Sequence, residues 1–480
     1  MAQALTRSQA WDDTGALWRL AGPAVALNAL QTVNSLLDNW FVQRLSPEAL
    51  TAIGAATNSV FLFISLSMAL GTASTAMVAR MFGARDEVGL KDAARRCLGF
   101  SITAGIVFAL VAIPGARLAA SVFIRAGNTG AQHLMVQYLS AFAVALPAFF
   151  TVQSLAGALR GIGDTVSPMV ISGIQILLHM AFNYLFMFPT TNYGGLVVPG
   201  LGLGLPGAGW AICASGWIAA IGYLFWCRRT GLGAIDLLAP MRDYFSHPAR
   251  ELKIAQVKTS WEWAKRISHL ALPAATTNVV RVLSLMVLTT VLTHVPGSDF
   301  AIGGMRPGFS IESLAFMPPF GLAIAAAALV GQSLGAGDVR RAERIGWMAA
   351  HYAGAMALVT VLFLFPNAHH VAGWLLHDQP QFVPYTASFL RYICSTEIFF
   401  AYSMVLVSAI QGAGDTVRPL WLTVIVTLVG RMPLAIFFAL PFGLNLGADG
   451  VWMSMAVSQL VLGIGSVIMW KQGRWKLAKV

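Results

Sequence analysis

Apolar residues gather into twelve runs, centred near 17–42, 50–79, 97–117, 135–159, 168–190, 205–227, 269–294, 309–333, 346–366, 386–410, 419–441 and 446–470. Most match the roughly 20 residues that a helix needs to cross the hydrocarbon core of a bilayer. The pattern predicts an all-α membrane protein with twelve transmembrane helices, rather than the three soluble domains that 480 residues would otherwise suggest. The first run is not uniformly apolar. Asn28, Gln31, Asn34 and Asp38 recur at steps of three, three and four, which confines them to an arc of about 120° on a helix. One face of the first span is therefore polar. Asp38 lies about 31 Å along that helix from Leu17, at 1.5 Å per residue.

The chain repeats itself. Ala158-Leu-Arg-Gly-Ile-Gly-Asp-Thr-Val-Ser-Pro-Met169 returns as Ala409-Ile-Gln-Gly-Ala-Gly-Asp-Thr-Val-Arg-Pro-Leu420. Leu20-Ala-Gly-Pro-Ala24 returns as Leu270-Ala-Leu-Pro-Ala274, and Gly83-Ala-Arg-Asp86 as Gly335-Ala-Gly-Asp338. Each half holds six spans, so both enter the membrane in the same sense, and the repeat is a parallel one. The expected organisation is two pseudo-symmetric six-helix bundles, 1–227 and 269–480, joined by a cytoplasmic linker at 228–268. Trp261, Trp263 and the mixed charges of that linker read as an interfacial amphipathic segment. Paired bundles of this kind suit a carrier that works by alternating access.

Composition supports the membrane reading, with 57% hydrophobic and 11% charged residues. The formal net charge of +11 could signal nucleic acid, but the placement of the 31 Lys and Arg residues argues otherwise. Twenty-four fall on one side of the expected topology and four on the other, Arg44, Arg117, Arg125 and Arg306, while Arg281, Arg391 and Arg431 lie within spans. The positive-inside rule then predicts cytoplasmic termini, and the charge needs no nucleic-acid partner to explain it; the expected location is a plasma membrane, the bacterial inner membrane. Residues 1–16 lack an apolar core, so the first run is expected to stay as a span rather than be removed as a signal. Cys97, Cys213, Cys227 and Cys394 have the spacing of neither a disulfide framework nor a zinc site.

A P-loop needs Lys followed by Ser or Thr behind a glycine-rich turn. Lys258-Thr259 is the one Lys-Thr pair, and Val257 precedes it where glycine is required. An ion gradient, sensed by an ionisable group inside the membrane, is the expected motor, with no nucleotide and no cofactor. Asp38 is the first candidate, because a carboxylate in a cavity of low polarity can hold a proton in one state and exchange it for a cation in another. The alternative is a carboxylate reaching the outer interface beside Arg44, or one paired structurally with another helix. His179 and Asn183, four apart on the fifth span, share a face at a depth that can reach Asp38. The same arc in the second half reads Asn278, Arg281, Ser284 and Leu288, so the acid has no counterpart there. Arg281 is too deep to reach the interface easily and is expected to pair with Glu312 or Glu397. Asn28, Gln31, Asn34, Asn278, Arg281, Ser284, Glu312, Glu397 and Arg431 are the candidates for lining a substrate cavity. Pro23 and Pro273 are expected to start helices, with a bend as the alternative. Asp164 and Asp415, in Gly-x-Gly-Asp-Thr, read as turn and capping residues.

Taken together these segments resemble the multidrug and toxic compound extrusion family. The marks are Leu37-Asp-Asn-Trp-Phe-Val-Gln-Arg-Leu-Ser-Pro-Glu-Ala-Leu50, both Gly-x-Gly-Asp-Thr turns, Leu329-Val-Gly-Gln-Ser-Leu-Gly-Ala-Gly-Asp338 and Arg431-Met-Pro-Leu434. The resemblance implies two six-helix lobes in a V around a central cavity. It also implies export of small cationic amphipathic compounds by a monomer, in exchange for protons or sodium. Asp38 matches the first-span acid that such carriers use in ion coupling. Proton-coupled relatives often carry Asn and Asp where His179 and Asn183 stand, which is a departure. Sodium-coupled relatives usually add acids in the seventh and tenth spans; the seventh here has none, and Glu397 lies outside the matching position. Protons are therefore expected over sodium, with Asp38 the metal-holding residue in the sodium case. The rivals are a lipid-linked oligosaccharide flippase of the same superfamily, kept alive by Arg281, Arg391 and Arg431, and a membrane-embedded enzyme. The enzyme would need a cluster such as His-Glu-x-x-His, which is absent from the sequence. A symmetric channel filter does not fit two unequal linked halves.

Overall fold

Capping residues punctuate the chain where the apolar runs give way. Ser46, Asp86, Asn128 and Asp338 each accept a backbone N–H three residues on, at 3.2, 2.8, 3.1 and 2.8 Å. That contact satisfies one of the donors a helix start leaves free. Asp86 and Asp338 are repeat equivalents, and the residues before them, Arg85 and Gly337, both take positive φ, 56° and 76°. Glycine adopts that left-handed turn freely, whereas Arg85 adopts it against its own Cβ.

The computed structural model describes residues 7–124, 127–193, 196–230, 232 and 250–478. The first half contributes α1 (Arg7–Gln43), α2 (Pro47–Gly83), α3 (Glu87–Phe123), α4 (Thr129–Gly161), α5 (Val166–Met187) and α6 (Leu205–Cys227). The second contributes α7 (Arg250–Leu292), α8 (Ser298–Gly335), α9 (Val339–Leu375), α10 (Val383–Cys394) and α11 (Glu397–Gly412). It ends with α12 (Val417–Val424), a π-helical stretch Ile425–Arg431, α13 (Met432–Ala439) and α14 (Ala448–Gln472). Among the described residues, ten helical stretches are long and apolar enough to cross a membrane, and a bent pair, Pro380–Cys394 with Glu397–Gly412, makes an eleventh. Helix α1 completes the set of twelve; its polar face lowers its mean hydropathy.

Several elements differ from the expectation. The fifth span ends at Met187, and Pro189–Tyr193 pairs antiparallel with Leu196–Leu201, Thr191 opposite Val198 and Tyr193 opposite Leu196. The β-branched and aromatic residues of this short stretch favour an extended ladder. The tenth span is broken at Ser395-Thr396 with a 56° bend. The eleventh widens into a π turn just before Pro433, whose missing N–H and bulky ring are incompatible with a regular α turn there. Pro23 and Pro273 do not start helices. Both lie inside them, because α1 and α7 extend far upstream of the apolar runs. Of the expected linker, 231 and 233–249 lie outside the described residues, while residues from 250 onward are continuous helix with the seventh span. The Trp263 ring there lies 5.3 Å from the Arg96 guanidinium and 5.6 Å from that of Arg266.

The chain divides into two compact units: residues up to Val25 with those from Leu272 onward, and Ala26–Ala271. The boundaries fall within two residues of Pro23 and Pro273, so α1 and α7 each pass from one unit into the other beside a proline. In the unit holding Leu272 onward, Leu17, Leu20 and Ala21 of α1 are buried with Leu322, Ala326, Ala349, Ala353 and Leu406. Asp13 fixes this end of α1 to α9, at 2.9 Å from Arg341 Nε and 2.5 Å from Arg344 Nη2. A second cluster in that unit centres on Phe389 and Trp452, with Leu288 of α7. In the Ala26–Ala271 unit, α2 and α4 approach so closely that a Cβ on Gly157 would sit 2.3 Å from the Gly71 carbonyl oxygen. Small residues permit this contact where lipid offers no hydrophobic drive between helices.

Candidate functional site

Helices α1 and α5 bring their polar faces together in the Ala26–Ala271 unit, and the contact centres on Asp38. Asn34, one turn earlier on α1, donates from Nδ2 to Asp38 Oδ2 at 3.1 Å. Asn183 of α5 donates from Nδ2 to Asp38 Oδ1 at 2.6 Å. His179 Nε2 lies 3.3 Å from Oδ1 and 3.4 Å from Oδ2, and 3.2 Å from the Asn183 amide nitrogen. The i, i+4 spacing of His179 and Asn183 places both on the face turned to α1, as the sequence predicts. His179 is buried, with its side chain 8% exposed, whereas that of Asp38 keeps 33%. One side of the carboxylate is thus held by protein and the other is open.

Asp38 has no Arg or Lys in ion-pair distance among the described residues. Arg44, the cation the sequence offers as a partner, instead stacks on Trp40, its guanidinium 3.6 Å from the ring centroid. The site also keeps spare hydrogen-bonding capacity. Asn34 Oδ1, Asn183 Oδ1 and His179 Nδ1 are buried without a partner. An amide can turn over to present oxygen in place of nitrogen, and which way it points is assigned from the hydrogen-bond network. The same side chains that donate to an ionised Asp38 can therefore accept from a protonated one. Tyr138 of α4 lies close enough to interact electrostatically with Asp38. Sequence reasoning missed it, because nothing in the α4 pattern sets this tyrosine apart from core aromatics.

Of the remaining α1 candidates, Gln31 is exposed, and Asn28 is half-buried with its Nδ2 unpartnered. Their repeat equivalents belong to the other unit. Ser284 is fully buried with an unpartnered hydroxyl, Asn278 is half-buried and Arg281 is exposed. Glu312 of α8 and Glu397, the first residue of α11, are both buried and lie close enough to interact. Arg431 sits at the end of the π-helical stretch, within electrostatic reach of both Glu312 and Arg281. Its Nε donates to Ser458 Oγ of α14 at 2.6 Å. Beside Glu397, Thr396 Oγ1 donates to Gln459 Oε1 at 2.8 Å. The expected ion pair of Arg281 with Glu312 or Glu397 does not form. Arg281 has another guanidinium, Arg431, as its charged neighbour, and both carboxylates sit deeper in the protein.

Asp164 and Asp415 take the structural roles read from the repeat. Asp164 Oδ1 accepts from Ser167 N at 2.9 Å, and Asp415 bonds Arg418 through backbone and side chain.

Comparison with known proteins places this arrangement. The family model described as MatE matches residues 23–185 and 273–448, so its two matches begin at the equivalent prolines of the two halves. A "Probable multidrug resistance protein NorM" from Thermotoga maritima is 24% identical over 464 residues, covering 96% of this chain and 92% of the relative. A protein of the same description from Pseudomonas aeruginosa is 27% identical over 473 residues, with 97% and 90% covered. A solved structure described as "Crystal structure of MATE in complex with MaL6" matches with a TM-score of 0.84 at 23% identity, over 97% of this chain and 98% of that one, and shares the fold. With the family model matched across both halves, this chain belongs to the MatE family of membrane transporters.

Proposed function

We propose that the protein exports small amphipathic organic cations, drugs among them, in exchange for protons, and that Asp38 is the group that changes occupants. The observation that carries this reading is the Asp38 environment: one partly exposed carboxylate, held by Asn34, Asn183 and His179, with no Arg or Lys in ion-pair distance among the described residues. A carboxylate locked to arginine would have little reason to release either a proton or a cation. One held by amides keeps hydrogen bonds in both charge states, and its exposed side can take a cationic ligand. The relatives' description as multidrug resistance proteins supports drug export.

In this scheme, the carrier open to the outside takes a proton on Asp38 and releases the cation. The carrier open to the inside loses the proton and binds the next cation. Exchange of one proton for one monovalent cation moves no net charge, so the pH gradient alone drives it, by about 1.4 kcal/mol or tenfold per pH unit. Use of the membrane potential, about 2.3 kcal/mol per charge at 100 mV, needs a second proton, which His179 can carry and Asn183 cannot. The distribution of Lys and Arg supports cytoplasmic termini, and the bacterial relatives support an inner-membrane location.

The test is efflux of a fluorescent cation from proteoliposomes under separately imposed proton and sodium gradients. Wild type is expected to respond to the proton gradient, and Asp38→Asn to fall to background. Undiminished pH-driven efflux by Asp38→Asn removes the carboxylate from the mechanism, and a response to sodium alone replaces the proton as coupling ion.

A further inference from the structure

The unit that lacks Asp38 carries charged residues of its own within its spans, and of Glu312, Glu397, Arg281 and Arg431 none is ion-paired with another. Glu397 and Glu312 are 2% and 7% exposed. Both carboxyl oxygens of Glu397, and Oε2 of Glu312, have no hydrogen-bond partner among the described residues. Arg431 is half-buried and spends its Nε on a neutral hydroxyl, that of Ser458. Arg281 is exposed and makes no ion pair or hydrogen bond among the described residues. Glu397 neighbours Glu312, Glu312 neighbours Arg431, and Arg431 neighbours Arg281. The string thus runs from a shielded pair of acids to an exposed guanidinium.

The depth of Arg281 makes that exposure informative. It lies within the apolar span Trp261–Leu292, about 16 Å along the helix from Leu292. Ionisable groups at such depth face the bundle interior or a water-filled cavity, because exposure to lipid is costly. Leu288, two turns on along the same face of α7, is fully buried, and Ser284 between them is too, so this face of the helix points into protein. The open side of Arg281 is therefore a cavity surface. Its repeat equivalent is Gln31, a neutral amide, so the charge belongs to the second half alone.

We propose that Arg281, assisted by Arg431, receives a carboxylate of the transported compound, so that the preferred substrates are zwitterions rather than simple cations. This inference rests on the transport reading above and adds to it the chemistry of the substrate; for a zwitterion, exchange against one proton moves one charge inward, so the membrane potential adds to the pH gradient without a second proton. A guanidinium presents its donors in a planar fork that matches a carboxylate, and a partner of opposite charge offsets the cost of holding Arg281 unpaired in an apolar layer. A monoanion is accommodated beside the exposed guanidinium.

The test uses a matched pair of dyes, tetramethylrhodamine, which is a zwitterion, and its methyl ester, which is a cation of nearly equal size. Binding to purified protein is read by fluorescence anisotropy, and efflux by proteoliposome assay. Wild type is expected to prefer the acid over the ester by about tenfold, equivalent to about 1.4 kcal/mol. Arg281→Gln is expected to collapse that preference to near unity, and Arg281→Lys to restore part of it. A wild type that favours the ester or binds neither dye overturns the proposal. So does an Arg281→Gln variant whose binding of acid and ester falls in parallel, which marks a structural role. Asp38→Asn separates the two claims: pH-driven efflux that survives it sinks the transport reading, whereas the acid-to-ester preference reports on Arg281 alone.

Discussion

Both polar clusters draw on the first and fifth spans of their halves, α1 with α5 and α7 with the stretch ending at Arg431, and they have opposite character. Around Asp38 there is one carboxylate, and each of its oxygens meets an uncharged amide. In the other unit there are two carboxylates and two guanidiniums, and none of the four forms an ion pair with another. The repeat preserved backbone features such as the Asp86 and Asp338 caps, but it did not preserve charge. A backbone can be duplicated without regard to what its cavity binds. A charge inside a membrane is kept only where something answers it. One half answers with amides that suit either charge state, and the other leaves its charges for a ligand.

The largest expected effect comes from forcing the halves to match. Leu288 occupies the position equivalent to Asp38 and is fully buried among apolar neighbours. Leu288→Asp is expected to destabilise the protein by about 3 kcal/mol, the cost of leaving an uncompensated charge buried among apolar side chains. Thermal unfolding of the purified variant in detergent checks this. An unchanged midpoint would mean that the second half could have kept an acid there, and that its absence needs another explanation.

A smaller effect is expected within the Asp38 site. Asn183 makes the shortest contact with Asp38, at 2.6 Å, while His179 lies at 3.3 Å or more. A hydrogen bond to a charged group contributes about 1.5–3 kcal/mol, and geometry decides how much of that is realised. Asn183→Leu is therefore expected to reduce pH-driven efflux by tenfold or more, and His179→Gln, which keeps a donor, by only a fewfold. Initial rates at a fixed pH gradient rank the two. The reverse ranking would make the imidazole the principal partner of Asp38. It would also strengthen the case for a second proton, which a dependence of rate on membrane potential would reveal.

Much of this site was legible in the sequence because it is built from local spacing. The steps from Asn28 to Asp38 lie on one helix, as do His179 and Asn183, and periodicity alone assigns them faces. That α1 and α5 pack with those faces together is a tertiary fact, yet shared depth made the meeting foreseeable. The second cluster was less legible, since Glu312, Glu397, Arg281 and Arg431 come from four separate helical segments with no spacing rule to relate them. Opposite signs suggested a pair between Arg281 and an acid, but packing buried both acids and left Arg281 exposed. The break at Ser395-Thr396 and the π turn before Pro433 were hidden for a similar reason, because hydropathy averages over a local change in hydrogen bonding. The hairpin after α5 is too short, and too close to a span, for an apolar run to reveal it.

The central claim is that Asp38 holds a proton or an organic cation, and never both. It is tested most directly by counting protons released when a permanently charged organic cation, such as tetraphenylphosphonium, binds purified protein in weakly buffered detergent solution. The account predicts that wild type releases protons as the cation binds, and that Asp38→Asn releases none. Equal release from wild type and Asp38→Asn would contradict it.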